Sequence, residues 1–447
     1  MAKQKICLVS LGCAKNLVDA EVMLGHLPAD RYEIVTEEAL ADIIVINTCT
    51  FIDEAKEESV ETILNAAEFK ETGSCRLLVV AGCMPQRYRD ELAKELPEVD
   101  LFIGTGEAPR IVELLEGKGP VGRREIGLPE FLYDDTTPRL RSSPFYSTYV
   151  KIAEGCNNCC SYCIIPEVRG TLRSRSIDSV VAEVKTLVTQ GVKEVNLIAQ
   201  DVTAFGLDRG QRSELVDLLK ELVQIDGLNW LRLLYAYPDG ISDELLDLIA
   251  AEEKICNYLD VPLQHIDDTI LSQMSRRVDE AAIRSLLQRI RSRIPDVTLR
   301  TSFIVGFPGE TDYQFNRLLA FVNEGHFERV GVFRYSREEG TPAARLDEQV
   351  PPRIKRARYH KLMKAQSRVA FRKNRALVGQ VEPVLVEGVS EETELLLRGR
   401  SVRQAPDVDG QVYITAGRAE IGDIVALRIT DSSEYDLIGA IVGAETE

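Results

Sequence analysis

The chain has 447 residues, room for two or three domains, and 45% of them are hydrophobic, enough to bury real cores. A formal net charge of −17 argues against nucleic acid or an anionic membrane as default partners and for something basic. No run of about 18 apolar residues is present, which excludes a transmembrane helix. Met1 to Lys5 lack the apolar stretch of a signal peptide. A cytoplasmic location is therefore expected, where ten cysteines read as metal ligands, catalytic thiols or small buried hydrophobes rather than disulfides.

The first segment alternates strands (Ile6–Ser10, Ile43–Asn47, Leu77–Ala81, Leu101–Ile103) with helical patterns near Leu17–His26, Glu54–Phe69 and Glu91–Leu96. That alternation predicts an α/β fold with a doubly wound parallel sheet. Residues 117–146 carry Gly117, Gly119, Pro120, Gly122, Gly127, Pro129, Pro138 and Pro144 and read as a linker. A second series follows, with strands at Thr148–Ile152, Val195–Ala199, Leu231–Tyr235, Tyr258–Val261, Leu299–Val305 and Val330–Tyr335. Helical patterns such as Val180–Gln190 and Leu215–Ile225 lie between them. Six strand–helix units suggest a partial (β/α)6 barrel, with chemistry at the C-terminal ends of its strands.

From Arg353 to Arg375 the pattern is helical, with ten Lys or Arg and no Asp or Glu. Short strands then follow at Val381–Val389, Glu394–Arg398, Val412–Thr415, Ile424–Ile429 and Leu437–Val442, a small antiparallel β-barrel. Three domains are expected, at 4–118, 142–373 and 376–444.

The densest chemical signal is Cys156-Asn157-Asn158-Cys159-Cys160-Ser161-Tyr162-Cys163. A tetrahedral zinc site wants two cysteine pairs well separated in sequence, and here the two pairs adjoin. The alternative parse is Cys156-x-x-x-Cys160-x-x-Cys163. Three thiolates can ligate three irons of a [4Fe–4S] cube and leave the fourth iron open. The strand Thr148–Ile152 delivers this loop to a barrel end. The spacing, with an aromatic residue before the last cysteine, resembles the radical S-adenosylmethionine (SAM) superfamily. That resemblance implies that SAM chelates the open iron and is split to a 5′-deoxyadenosyl radical. Cys159 departs from the pattern and is expected to be a bystander thiol.

Cys13, Cys49 and Cys83 each follow a strand of the first sheet. Ligands bind beyond the carboxyl ends of strands in such sheets, so these three can converge on a second three-thiolate site. Cys7, Cys75 and Cys256 lie in or beside strand or helix patterns and are expected to be buried hydrophobes. The segments Ser10-Leu11-Gly12-Cys13-Ala14-Lys15-Asn16-Leu17-Val18-Asp19, Asn47-Thr48-Cys49-Thr50-Phe51 and Ala81-Gly82-Cys83-Met84-Pro85 resemble the N-terminal domain of the methylthiotransferases. Those enzymes join it to a radical SAM core and a C-terminal TRAM domain. The resemblance covers essentially the whole chain. It implies two [4Fe–4S] clusters, the auxiliary one carrying the sulfur or methylsulfide to be inserted, with SAM as radical source and methyl donor.

Tyr162, Gln200 and Arg300 are placed by this resemblance toward the SAM pocket, and no catalytic side chain is designated. Asp201, Gln264, His265 and Gly306-Phe307-Pro308-Gly309 also fall at or near strand ends; a lone histidine such as His265 is more often structural. Arg169 to Arg175 either touch the cluster's surroundings or the substrate, or form a solvated helix entry. Gly104-Thr105-Gly106 lacks the third glycine of a dinucleotide fingerprint.

The family's branches modify an adenosine of transfer RNA or an aspartate of a ribosomal protein. Residues 376–447 hold five arginines, no lysine and fourteen Asp or Glu, a net of −9 that would repel RNA. Ser10–Asn16 and Tyr335–Pro342 also resemble the branch acting on the β-carbon of an aspartate in small-subunit ribosomal protein S-twelve. The expected partners are that basic protein, free or on the assembling small subunit, and an electron donor such as flavodoxin; no membrane is expected. The basic stretch 353–375 either packs on acidic domains or contacts ribosomal RNA. A transfer-RNA methylthiotransferase and a non-enzymatic metal-binding module are the alternatives.

Overall fold

The computed structural model describes residues 3–117, 119–391, 393 and 396–443. Residues 118 and 444, expected domain limits, lie outside the described residues, as do Glu392 and Glu394. Among the described residues no helix is long and apolar enough to cross a membrane.

The first sheet has six parallel strands: β1 (Gln4–Ser10), β2 (Tyr32–Ile34), β3 (Ile43–Thr48), β4 (Leu77–Gly82), β5 (Leu101–Ile103) and β6 (Arg123–Glu125), in the order β2-β1-β3-β4-β5-β6. Helices α1 (Ala14–Gly25), α2 (Asp53–Thr72), α3 (Cys83–Glu95) and α4 (Ile111–Glu116) connect it. All six residues of β3 are buried, as expected of a central strand covered on both faces. The chain reverses direction across the sheet between β1 and β3, the switch point where such sheets bind ligands. The helix expected at Glu91–Leu96 begins earlier, at Cys83, and is broken at Arg89, whose φ of 40° is non-helical.

Residues 117–146 are not a loose linker. They supply β6 as an edge strand, and Arg139, inserted between domains, pairs with Glu21 at 2.6 Å and Glu183 at 2.9 Å. The Tyr133 hydroxyl accepts the Lys151 N–H at 3.0 Å. Gly and Pro content marks where regular structure stops; it does not measure packing.

The second sheet runs β14-β13-β12-β11-β10-β7 and is entirely parallel. Its strands are β7 (Ser147–Lys151), β10 (Glu194–Ile198), β11 (Trp230–Leu233), β12 (Ile255–Asp260), β13 (Thr298–Val305) and β14 (Arg329–Arg334), with a small hairpin of β8 (Ala153–Glu154) and β9 (Arg173–Ser174) beside the mouth. Sequential order without a switch point is the winding of a partial (β/α)6 barrel. The helices α5 (Ile165–Arg169), α6 (Ile177–Thr189), α7 (Leu215–Leu222), α8 (Asp243–Ala251), α9 (Asp268–Gln273), α10 (Glu280–Arg293) and α11 (Asp312–Asn323) follow in turn. Helix α6 shows why they form: Val180, Val184 and Leu187 recur on one buried face, and the Ser176 side chain accepts the Ser179 N–H, a cap that contributes about 1 kcal/mol.

Helix α12 (Pro352–Arg375) packs on β14 and α11 and leads into a closed five-stranded barrel. Strands β15 (Val381–Val389), β16 (Leu397–Ser401), β17 (Val412–Ala416), β18 (Ile424–Ser432) and β19 (Leu437–Ile441) pair antiparallel, except that β17 and β19 close the barrel in parallel. This barrel docks on the central sheet through buried polar contacts. Glu194 is held by Arg232 at 3.1 Å and by Arg400 at 2.6 Å, and the Tyr258 hydroxyl donates to Asp409 at 2.6 Å.

Two candidate cluster sites and the wall between them

All ten cysteines are free thiols, and six of them form the two expected sets. Cys13 caps α1, Cys49 follows β3 and Cys83 opens α3, so all three stand at the carboxyl end of the first sheet. Gly12, with a φ of +88°, makes their approach possible: a Cβ there would lie 2.5 Å from Cys49 Cβ and 2.9 Å from its Sγ. Asn16, one turn into α1, donates to the Leu11 and Thr48 carbonyls at 3.0 and 2.9 Å and fixes the helix start against β3. Burial pushes the Cys49 thiol up to about 12, and neighbouring Cys83 and Cys13 add to the shift. Thiols that oppose each other's ionisation become ligands when positive charge arrives, as on metal binding.

The second set sits on the loop after β8. Gly155, with a φ of +79°, admits the Thr171 carbonyl where a Cβ would lie only 2.1 Å away, and the Cys156 N–H donates to the Gly170 carbonyl at 3.1 Å. Ser161 is pinned by Met274 and Ala343 through backbone bonds of 3.0 and 2.8 Å. Burial pushes Cys163 up to about 12, with Cys160 and Cys156 nearby adding to it. Cys159 is exposed, and its sulfur reaches the Asn157 carbonyl at 3.7 Å. Among the described residues no set of three His, Cys, Asp or Glu closes on a single metal ion. Thiolates that each bind a different corner of an iron–sulfur cube have no need to do so.

Each set has an arginine donor, Arg169 buried and Arg276 half-buried. Arg169, at the end of α5, places Nη2 3.4 Å from Cys83 Sγ, and Arg276 places Nη1 3.6 Å from Cys160 Sγ while lying 4.0 Å from the Tyr237 ring centroid. Arg169 also bonds Asn16 and Asp19 of α1 and lies 3.5 Å from Glu154. Lys151 completes the group, bridging Asp19 and, at 2.6 Å, Glu154. Two buried cations thus face two carboxylates in a balanced wall between the cysteine sets. Breaking such a group by removing one member costs about 3–5 kcal/mol. A second tie joins the domains at Glu338, which accepts from Arg87 and from Lys56 at 3.1 Å.

Gln200 donates to Glu154, and its buried Oε1 has no partner among the described residues. Tyr162 packs against the cluster of Ile270, Met274, Phe307, Tyr335 and Ala343. Asp201 braces the cysteine loop by accepting Asn158 Nδ2 at 2.9 Å. Arg300 lies low on β13, paired with Asp260 at 2.8 Å and 3.8 Å from Asp409 of the small barrel. His265 is buried, accepts the Asp267 N–H through Nδ1 at 3.0 Å, and is pushed down to about 3 by burial, so it stays neutral. Gln264 adopts a φ of 73° beyond β12. Thr105 bonds Gln86 and the Val168 carbonyl and is an interdomain contact, not part of a dinucleotide loop. Cys7, Cys75 and Cys256 are buried within the sheets and their edges.

Sequence reading missed Asn16, Asp19, Lys151, Glu154 and Arg276 as site residues. Asn16 and Asp19 follow Cys13 at i+3 steps and so share its helix face, a recoverable signal. Arg276 offers none, because it arrives from a loop remote in sequence.

Three segments match family models: an uncharacterized protein family UPF0004 over residues 5–104, the radical SAM superfamily over 150–322 and a TRAM domain over 378–442. Among solved structures, the radical SAM methyltransferase TsrM from Kitasatospora setae shares the fold, with a TM-score of 0.55 and 17% identity over 76% of this chain and 77% of that one. A Geobacter sulfurreducens protein named ribosomal protein uS12 methylthiotransferase RimO is 62% identical, covering 99% of both chains. A protein of the same name from Syntrophotalea carbinolica is 70% identical over 100% of this chain and 98% of its own length. At that identity over its full length, the chain belongs to the ribosomal protein uS12 methylthiotransferase family.

Proposed function

We propose that the protein is a radical SAM methylthiotransferase. It replaces a hydrogen on the β-carbon of an aspartate in ribosomal protein uS12 with a methylthio group, using SAM as radical source and methyl donor. The observation that carries this reading is the pair of three-cysteine sets, each with its own arginine donor, on either side of one buried ionic wall. In this reading residues 4–118 hold the auxiliary [4Fe–4S] cluster through Cys13, Cys49 and Cys83. Residues 142–373 hold the SAM-binding cluster through Cys156, Cys160 and Cys163, and residues 376–444 recruit substrate. When bound, the central cluster and SAM supply hydrogen abstraction, and the auxiliary cluster supplies sulfur.

The chain's own residues hold, orient and insulate. Tyr162 seals the central loop with an apolar face, and the free Oε1 of Gln200 is an acceptor beside Glu154. Arg300 would serve the SAM pocket while tethered to Asp260. The wall of Asp19, Lys151, Glu154 and Arg169 keeps the two sites at fixed spacing. Reductant comes from an electron donor such as flavodoxin, and uS12 is met free or on the assembling small subunit in the cytoplasm.

The test is anaerobic reconstitution followed by assay on a uS12 peptide and on transfer RNA. Mass spectrometry should show one methylthio group in place of hydrogen on the peptide aspartate. Modification of transfer RNA instead would overturn the substrate, and failure to bind iron would overturn the chemistry.

A further inference from the structure

Helix α12 carries ten basic residues on an acidic protein, and the fold uses fewer than half of them. Its buried face is Leu362, Ala365, Gln366, Val369 and Ala370, with Arg358 turned inward onto the Glu310 carbonyl at 2.8 Å and Asp312 at 2.8 Å. Lys373 pairs with Glu328 and Arg375 with Asp431. The expectation that the stretch packs on acidic elements holds for these.

Arg353, Arg356, Lys361, Lys364, Arg368 and Arg372 are different. All six are exposed, and none has an ion pair among the described residues. At about 100° per residue they fall on one half of the helix circumference. Their spacing of three to five residues sets successive charges roughly 5–7 Å apart, over a row of about 28 Å. Phe371 is 42% exposed on the same face, between Arg368 and Arg372.

The row also has a direction. At its start Lys355 covers Gly306, just beyond β13, and donates to the Tyr335 carbonyl just beyond β14, at 2.7 Å. Its start is therefore at the barrel mouth. At its end Asn374 bonds the Ser433 and Glu434 carbonyls of the small barrel at 3.3 and 3.2 Å. The row thus connects the mouth with the acidic domain.

We propose that the solvent face of α12 is an RNA-docking surface that binds the phosphate backbone of small-subunit ribosomal RNA beside the substrate protein. This rests on the uS12 reading, since a ribosomal protein presents its aspartate among RNA phosphates. A regular row of unpaired cations matches a linear polyanion; a globular acidic protein would call for a rounder patch. The whole chain carries −17 even with these cations counted, so the rest of the surface is more acidic still, which confines RNA to this one face and repels it elsewhere.

The experiment compares the reconstituted wild-type holoprotein with the fourfold variant Lys361→Glu, Lys364→Glu, Arg368→Glu, Arg372→Glu. Binding to purified small ribosomal subunits, to naked small-subunit ribosomal RNA and to anionic phospholipid vesicles is measured across a salt series. Loss of four phosphate contacts should lower the slope of log K against log salt by about 3 and weaken subunit and RNA binding at least about tenfold. Reductive SAM cleavage and modification of the uS12 peptide should not change. The swap Lys361→Arg, Lys364→Arg, Arg368→Lys, Arg372→Lys should bind like wild type, because phosphate needs the charge and not the shape. Unaltered RNA affinity and slope in the fourfold variant would overturn the proposal. So would loss of binding to vesicles with RNA binding retained. A wild-type enzyme that leaves the peptide unmodified would instead overturn the uS12 reading.

Discussion

The guanidinium of Arg169 spans the boundary between two domains to place Nη2 3.4 Å from the sulfur of Cys83. A charged N–H donor on a cluster-ligating sulfur stabilises the more negative, reduced cluster and raises its potential. Arg169→Gln should therefore lower the midpoint potential of the N-terminal cluster by on the order of tens of millivolts, with the central cluster unmoved. Arg276→Gln should do the reverse, because Arg276 faces Cys160. Redox titration followed by electron paramagnetic resonance separates the two, and equal shifts of both clusters in either variant would refute this division.

Iron content tests the two-site assignment. Replacing Cys13, Cys49 and Cys83 with Ala should halve the iron bound after reconstitution, and so should replacing Cys156, Cys160 and Cys163. The central triple variant should also lose reductive SAM cleavage. Cys159→Ala should keep both clusters and its activity, since Cys159 is exposed and its sulfur reaches the Asn157 carbonyl at 3.7 Å. A triple variant that retains all its iron would defeat the assignment.

Buried parallel strands are written as short apolar runs, and Leu101–Ile103 agrees with its sequence-expected limits at both ends; the antiparallel strand Val381–Val389 was legible too, bounded by Gly-containing turns. The N-terminal cysteine set was legible for a related reason, since each of its cysteines follows a strand and topology carries strand ends to one place; the central set was legible from its spacing on a single loop. What escaped was tertiary. Arg276 and Glu338 become neighbours of the site through folding of distant segments; no local pattern marks Arg276, and the segment Tyr335–Pro342 does not reveal the partners of Glu338. Residues 117–146 looked like a linker because their glycines and prolines are local, whereas the burial of Tyr133 and the Arg139–Glu21 pair is not. The RNA-repelling charge of the last domain was countable, yet Arg400 and Arg403 turn inward onto Glu194 and Glu382.

Glu194 gives the stability a sign with pH. Burial pushes its carboxyl up, but Arg400 and Arg232 more than offset this and hold it at about 2. The ordinary value is 4.5, so the folded state binds fewer protons than the unfolded one between those limits. The contribution, about 3 kcal/mol, is fully present above pH 4.5 and is lost as pH falls through about 2. Glu194→Gln should abolish this dependence and cost about 3–5 kcal/mol at neutral pH by stranding two buried arginines. Thermal midpoints of both proteins across the acid range measure it, and parallel pH profiles would contradict it.

The last domain should capture uS12 by charge. With Arg400 buried against Glu194 of the central domain, the side chains facing solvent are more negative than the composition suggests. Exposed Glu420 and Glu434 have no ion pair among the described residues, whereas Glu391 is already matched to Arg398 at 2.9 Å. Steering of a basic protein depends on unmatched charge, so Glu420→Gln with Glu434→Gln should slow uS12 association a few-fold at low salt, and Glu391→Gln should do less. Dissociation should change little, because rim charges act mainly on the encounter. The difference should vanish near 1 M salt, where the Debye length falls to about 3 Å from about 10 Å at 0.1 M. Stopped-flow association of holoenzyme with purified uS12 provides the measurement. An on-rate that is unchanged at low salt, or that rises on neutralisation, would show that this surface does not recruit the basic protein.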